Sequence, residues 1–206
     1  MTVSINVDAQ QMGAAQKILE QMGRQANPII ARVLNRAITG VRTDITKNVR
    51  SVYNVKAQKV RRAVSLDRAS KQKLQARADI RSERISLLHF GARPSSASAR
   101  APRGGVSVHV KTGRYRIPGT FIPRLPGGGT GVFWRVPGRH MSLRLTAGRS
   151  PSKHTQAIEK LTGPSVPQMA ENDNVLQGVQ QGAVERVQKN LNHEIDRYLE
   201  RKGLRK

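Results

Sequence analysis

The chain has 206 residues, with 37 lysines and arginines against 13 aspartates and glutamates, a net charge of +24. An excess of that size marks a binder of polyanions or of acidic partners. No apolar run exceeds three residues, which excludes a transmembrane helix and a secretory signal core; the absence of cysteine excludes disulfides, thiolate metal sites and cysteine catalysis.

Only seven residues are aromatic, so the core has to be thin and aliphatic. Thr2–Val7 alternates apolar and polar residues and reads as a short strand. Asp8 would cap a helix from Ala9 to Gln25, with Ile18, Leu19 and Met22 as its stripe. Asn27-Pro28 restarts the pattern, Asn as a cap and Pro in the first turn. From Pro28 to Val52 the stripe Ile30, Val33, Leu34, Ala37, Ile38, Val41, Ile45, Val49 has helical spacing. About 25 residues give a rod of roughly 38 Å. Lys56–Val64 reads as a short third helix.

After Ser65 the period changes. Leu74–Ala78, Ile85–Phe90, Val106–Val110 and Val132–Val136 read as strands, and Arg144-Leu145 ends another. Two loops rich in Gly, Pro, Ser and Arg separate them, Ala92–Gly105 and Pro123–Gly131. Gly163–Pro167 closes the middle region, and a long helix follows from Gln168 to Arg201. Its stripe is Leu176, Val179, Ala183, Val187, Leu191, Ile195 and Leu199. Gly178 and Gly182, four apart, either admit a second helix at close range or are simply tolerated. The pattern predicts an α+β fold: N-terminal helices and a long C-terminal helix packed on a central, mostly antiparallel sheet with long basic loops. Its regions are 1–64 (helical), 65–153 (basic and β-rich) and 154–206 (linker and long helix), within one domain.

Residues 43–153 hold 24 bases and four acids, whereas residues 154–206 hold eight and seven. The charge therefore belongs to the middle of the chain and not to a tail. Bases alternate with apolar residues, as in Arg114-Tyr-Arg116, which suits strands with one charged face. Candidate contacts to DNA or to an acidic partner are Arg93, Arg100, Arg103, Lys111, Arg114, Arg116, Arg124, Arg135 and Arg139. The apolar stripe Leu176, Val179, Ala183, Val187, Leu191 and Ile195 is a candidate subunit interface.

Several chemistries fail on residue type. The glycines at 127–131 lack the Gly-Lys-Ser/Thr and the opening helix of a phosphate loop. His89, His109, His140, His154 and His193 form no close metal-binding pair on a helix. The four middle acids, Asp44, Asp67, Asp79 and Glu83, read as structural ion-pair partners, and no Gly-x-Ser-x-Gly elbow occurs. The sequence offers no argument for an enzyme and implies no cofactor or metal. Trp134, in a short strand, reads as core. Arg114-Tyr115-Arg116 reads equally as a basic-aromatic patch and as a solvated strand face.

The run Leu34-Asn-Arg-Ala-Ile-Thr-Gly-Val-Arg-Thr-Asp44, followed by Tyr53-Asn-Val-Lys56, resembles the minor tail protein Z family of lambda-like phages and prophages. Thr120-Phe-Ile122, Gly131-Val-Phe-Trp-Arg135, Ile158–Met169 and His193-Glu-Ile-Asp196 continue the resemblance in the same order. It is weakest over the Ala92–Gly105 loop and residues 137–153. The resemblance implies a structural tail completion or neck protein at the head-proximal end of the tail, in the virion and, during assembly, in the host cytoplasm. It implies a six-fold ring of this chain, with the tail terminator and head-side connector proteins as neighbours, no membrane, and packaged double-stranded DNA within reach of the basic middle. The competing reading, a free non-sequence-specific nucleic-acid-binding protein, rests on the net charge alone. A nuclease would need a cluster of carboxylates for Mg²⁺.

Overall fold

The computed structural model describes residues 2–8, Gly23, 26–97, 103–125, 129–140 and 156–202. The expected helix over 9–25 and the strand end at Arg144-Leu145 lie outside these. The fold is α+β. In chain order its elements are β1 (Thr2–Asp8), α1 (Ala26–Val52), α2 (Ala57–Ala63), β2 (Val64–Asp67), β3 (Gln75–Arg81), β4 (Arg84–Ser86), a 3₁₀ turn (Leu87–His89), β5 (Val106–Val108), β6 (Tyr115–Ile117), β7 (Thr120–Phe121), β8 (Val132–His140), β9 (Gln156–Ser165), α3 (Val166–Ala170) and α4 (Asp173–Arg201). The chain divides into two compact units. Unit 1 takes Met1–Val52, Lys56–Glu83 and Ser165–Lys206; unit 2 takes Tyr53–Val55 and Arg84–Pro164.

Unit 1 is built on the pairing of α1 with α4. The buried row of α1 is Ile29, Val33, Ala37, Val41, Ile45 and Val49, and that of α4 is Val175, Val179, Ala183, Val187, Leu191 and Ile195. Both step by four residues, so the i±4 ridges of each helix meet the other. Arg32 reaches Glu194 and Asp44 reaches Arg186, so the two helices run antiparallel. Small residues on this seam permit the approach. A Cβ on Gly182 would come 2.9 Å from Oδ2 of Asp44, and one on Gly178 would come 2.9 Å from Nδ2 of Asn48. The two glycines therefore admit the neighbouring helix, the stronger of the readings drawn from their spacing.

A three-stranded antiparallel sheet, ordered β1-β3-β2, completes unit 1. Its central strand β3 buries Ala76, Ala78 and Ile80 on alternate positions. Unit 2 holds a four-stranded sheet, β4-β9-β8-β7, and the β5-β6 hairpin. The strands thus form three sheets instead of one.

The structure corrects several local expectations. Asn27 lies inside the first turn of α1, and its side-chain amide donates to the Lys71 carbonyl instead of capping the helix. Ile85–Phe90 is strand only to Ser86, after which the chain coils into the 3₁₀ turn. Gln156–Ser165, assigned to a linker, is a ten-residue strand paired with β8. The C-terminal helix is two helices. α3 starts at a capping box in which the Ser165 hydroxyl accepts from the Gln168 N–H while the Gln168 side chain accepts from the Ser165 N–H. Glu171 and Asn172 then separate it from α4.

Candidate nucleic-acid interface

Unit 2 carries the concentration of charge. Of the residues in it, 14 are lysine or arginine and a single one, Glu159, is acidic. The strands that carry these bases are short, and backbone contacts hold them in place. The buried hydroxyl of Thr120 accepts from the Val106 N–H at 2.9 Å and donates to the Ile117 carbonyl at 2.6 Å, tying β5 to the turn before β7. Gly105 sits at a φ of +88° with the Ile117 carbonyl against the space a Cβ would occupy, so a side chain there is excluded twice over.

Two groups of candidate residues result. Around the β5-β6 hairpin, Arg93 pairs through its backbone with Ser107, and one guanidinium nitrogen of Arg114 donates to the Gly91 carbonyl at 2.7 Å. Arg116 donates to the Arg103 carbonyl at 3.2 Å. Lys111 lies 5.2 Å from the centre of the Tyr53 ring, a cation–π contact. On the β7-β8 hairpin Arg135 sits over the Phe121 ring at 5.0 Å, and Arg124 and Arg139 are exposed. Arg93, Arg103, Lys111, Arg114, Arg116, Arg124, Arg135 and Arg139 are all exposed; Arg114 and Arg116 donate to backbone carbonyls, and Lys111 and Arg135 lie over rings. Arg100 lies outside the described residues, as do residues 126–128 of the glycine-rich loop.

The aromatic reading needs correction. Val132 and Phe133 are buried, whereas Trp134 is 38% exposed. Its indole N–H donates at 3.3 Å to the carboxylate of Glu159, its register partner on β9. Tyr115, between Arg114 and Arg116, is 49% exposed, which makes that run an exposed basic-aromatic face. Three of the four middle acids form ion pairs, Asp44 with Arg186, Asp67 with Lys73 and Asp79 with Arg77, whereas Glu83 forms none among the described residues. Among the described residues no group of three or more His, Cys, Asp or Glu side chains converges as metal ligands would.

A model of the prophage minor tail protein Z (GPZ) family matches residues 12–205, nearly the whole chain. The chain belongs to that family. It is a bacteriophage minor tail protein, a structural component of the virion. No curated protein and no solved structure matches it. Among the described residues of this minor tail protein, no helix is long and apolar enough to cross a membrane.

The stripe assigned to a neighbouring subunit turns out to be the core of unit 1. Val179, Ala183, Val187, Leu191 and Ile195 are buried against α1, and Leu176 is half-buried. An apolar row covers the apolar face available to it, and α1 supplies that face from the same chain. The row is therefore not free to meet another copy.

A second cationic feature, unremarked in the sequence, lies in unit 1. Arg32, Asn35, Arg36 and Thr39 on one face of α1, together with Arg68 after β2, line an open cleft of about 460 Å³. Glu194, 3% exposed, accepts from Nε and Nη2 of Arg32 at 3.1 and 3.0 Å and from Nη1 of Arg36 at 2.7 Å. Asn35 fixes the other wall: its amide donates to the Ala69 carbonyl at 2.9 Å and its oxygen accepts from the Ala69 N–H at 2.8 Å. Spacing hid this site. Arg32 and Arg36 lie off the apolar stripe of α1, and the hint of a partner is an acid, Glu194, set beside Leu191 and Ile195 on the apolar row of α4.

Proposed function

We propose that this minor tail protein is the tail completion or neck component. It sits at the head-proximal end of the tail as a six-fold ring, joins the tail terminator to the head-side connector proteins, and neutralises phosphates of the double-stranded DNA in the channel. The observation that carries the reading is the charge of unit 2, 14 bases against one acid, displayed on exposed arginines. A surface with that balance repels a second surface like it and lowers its free energy by meeting a polyanion. Family membership supplies the setting, a structural part of the virion. A closed ring needs two different faces on each subunit. With the inner row of α4 consumed by the core, those faces fall to other surfaces, among them the outer side of α4 where Val184 is 39% exposed.

Phosphate neutralisation releases counterions, so this mode of DNA contact is sequence-independent and weakens steeply with salt. The test is the mass of the purified protein in solution, alone and with tails, at low and high salt, alongside duplex DNA binding. A ring, or a complex with tails that survives high salt, supports the neck role. A monomer that neither rings nor joins tails, and that binds only nucleic acid and releases it as salt rises, replaces it with a free nucleic-acid binder.

A further inference from the structure

The geometry points to a separate phosphate-backbone contact in unit 1: the cleft formed by Arg32, Arg36 and Arg68 takes a phosphodiester of duplex DNA. This rests on the DNA-binding part of the proposed function and extends it to residues outside the basic middle strands. Three guanidiniums and one carboxylate leave the site with two net positive charges. Glu194 occupies Nε and Nη2 of Arg32 but only Nη1 of Arg36, so each guanidinium keeps further N–H groups for a ligand. Arg68 makes no hydrogen bond or ion pair among the described residues, and it lines the cleft as an exposed side chain.

The walls are set before any ligand arrives. The buried Glu194 carboxylate fixes two arginines, and the paired bonds between Asn35 and the Ala69 backbone fix the segment that carries the third. A site arranged in advance binds at lower ordering cost. Its lining also identifies the ligand. Asn35 is held on the Ala69 backbone and the Thr39 hydroxyl donates to the Asn35 carbonyl at 2.8 Å, so the guanidiniums are the groups left for a ligand, and arginine is a principal contact to DNA phosphates. The cleft has no aromatic or aliphatic anchor of the kind that carries most of the energy of a protein–protein contact. It has no ring for a base to stack on, so it reads backbone and not sequence.

The test uses the full chain and a mixed-sequence DNA duplex, with affinity measured by fluorescence anisotropy across a salt series. Arg68→Ala leaves the Glu194 clamp and the Asn35 bonds untouched and is expected to fold as the parent does. It should weaken binding for every sequence and lower the log–log salt slope by about 0.9, the loss of one phosphate contact. Arg68→Lys should restore the slope. An unchanged slope in Arg68→Ala, while Arg135→Ala and Arg139→Ala lower theirs, overturns the cleft and leaves the proposed function standing. No duplex binding by the parent chain overturns both. Inorganic phosphate is the second probe: if it raises the parent's Tm saturably and Arg68→Ala abolishes only that rise, the cleft holds a small free anion and the DNA assignment fails. Loss of tail co-purification in Arg68→Ala with the slope intact assigns the cleft to an acidic protein and equally overturns it.

Discussion

The clamp around Glu194 makes an asymmetric prediction. The carboxylate is 3% exposed, while the side chains of Arg32 and Arg36 are 51% and 46% exposed. Removing the carboxylate with Glu194→Gln returns two half-hydrated guanidiniums to water, at a cost of about 1 kcal/mol. Removing one arginine leaves the carboxylate with the other, and Arg32→Met or Arg36→Met should also cost about 1 kcal/mol each. Removing both strands a buried charge. A fully buried pair broken in this way costs about 3–5 kcal/mol; with guanidiniums half in water, about 3 kcal/mol is expected for Arg32→Met/Arg36→Met. For a chain of this length each kcal/mol moves Tm by about 2–4 °C, so the double variant should melt about 6–12 °C lower. Thermal denaturation followed by circular dichroism in the helical band reads this out, because α1 and α4 hold most of the helix among the described residues. The double variant should exceed the sum of the singles by about 1 kcal/mol, a coupling typical of residues that share a partner. Strict additivity would refute the shared clamp, and a Glu194→Gln loss larger than that of the double variant would refute the asymmetry.

Two further outcomes follow from packing. In a solvated helix Gly40→Ala would stabilise by about 1 kcal/mol; here the new methyl meets Cδ of Arg186, which two bonds at 2.9 and 2.6 Å hold to Asp44, so Tm should fall instead by about 2–4 °C. Phe133→Ala should cost about 3–5 kcal/mol in chemical denaturation and Trp134→Phe less than about 1 kcal/mol, because the first ring is buried and the second faces solvent; equal losses would contradict that orientation of β8.

What could be read from the sequence was periodic over several turns. The expected row of α1 is buried throughout, and that of α4 is buried from Val179 to Ile195, whereas Leu176 and Leu199 are half-buried and Val175 takes the inward position at the start of the helix. β9 escaped because Ala157 is its one buried apolar residue among the described side chains and Gly163-Pro164 imitates a linker. β2 escaped because Val64 continues directly from α2 with no turn residue between them. Ile85–Phe90 misled in the opposite sense: its apolar spacing suits a strand, yet the chain tightens at Leu87, leaving Phe90 buried against Gly163 of β9. Trp134 shows that alternation decides which neighbour enters the core; Phe133 takes the inward position and the indole is left to Glu159. The basic face of unit 2 was visible as composition, because charge needs no partner to be counted. The Arg32–Arg36–Arg68 cleft was not, because the acid that organises it lies 162 residues from Arg32 and 158 from Arg36.

That separation also sets a clock on synthesis. A ribosome adds about 5–20 residues per second, so about 8–32 s pass between the emergence of Arg32 and that of Glu194. Until then the apolar row of α1 has no α4 to cover it. Unit 1 therefore matures only after α4 has been made, and a copy cut short before Glu194 lacks both the clamp and the cover for α1. The fold of unit 1 thus reports on whether synthesis has passed Glu194.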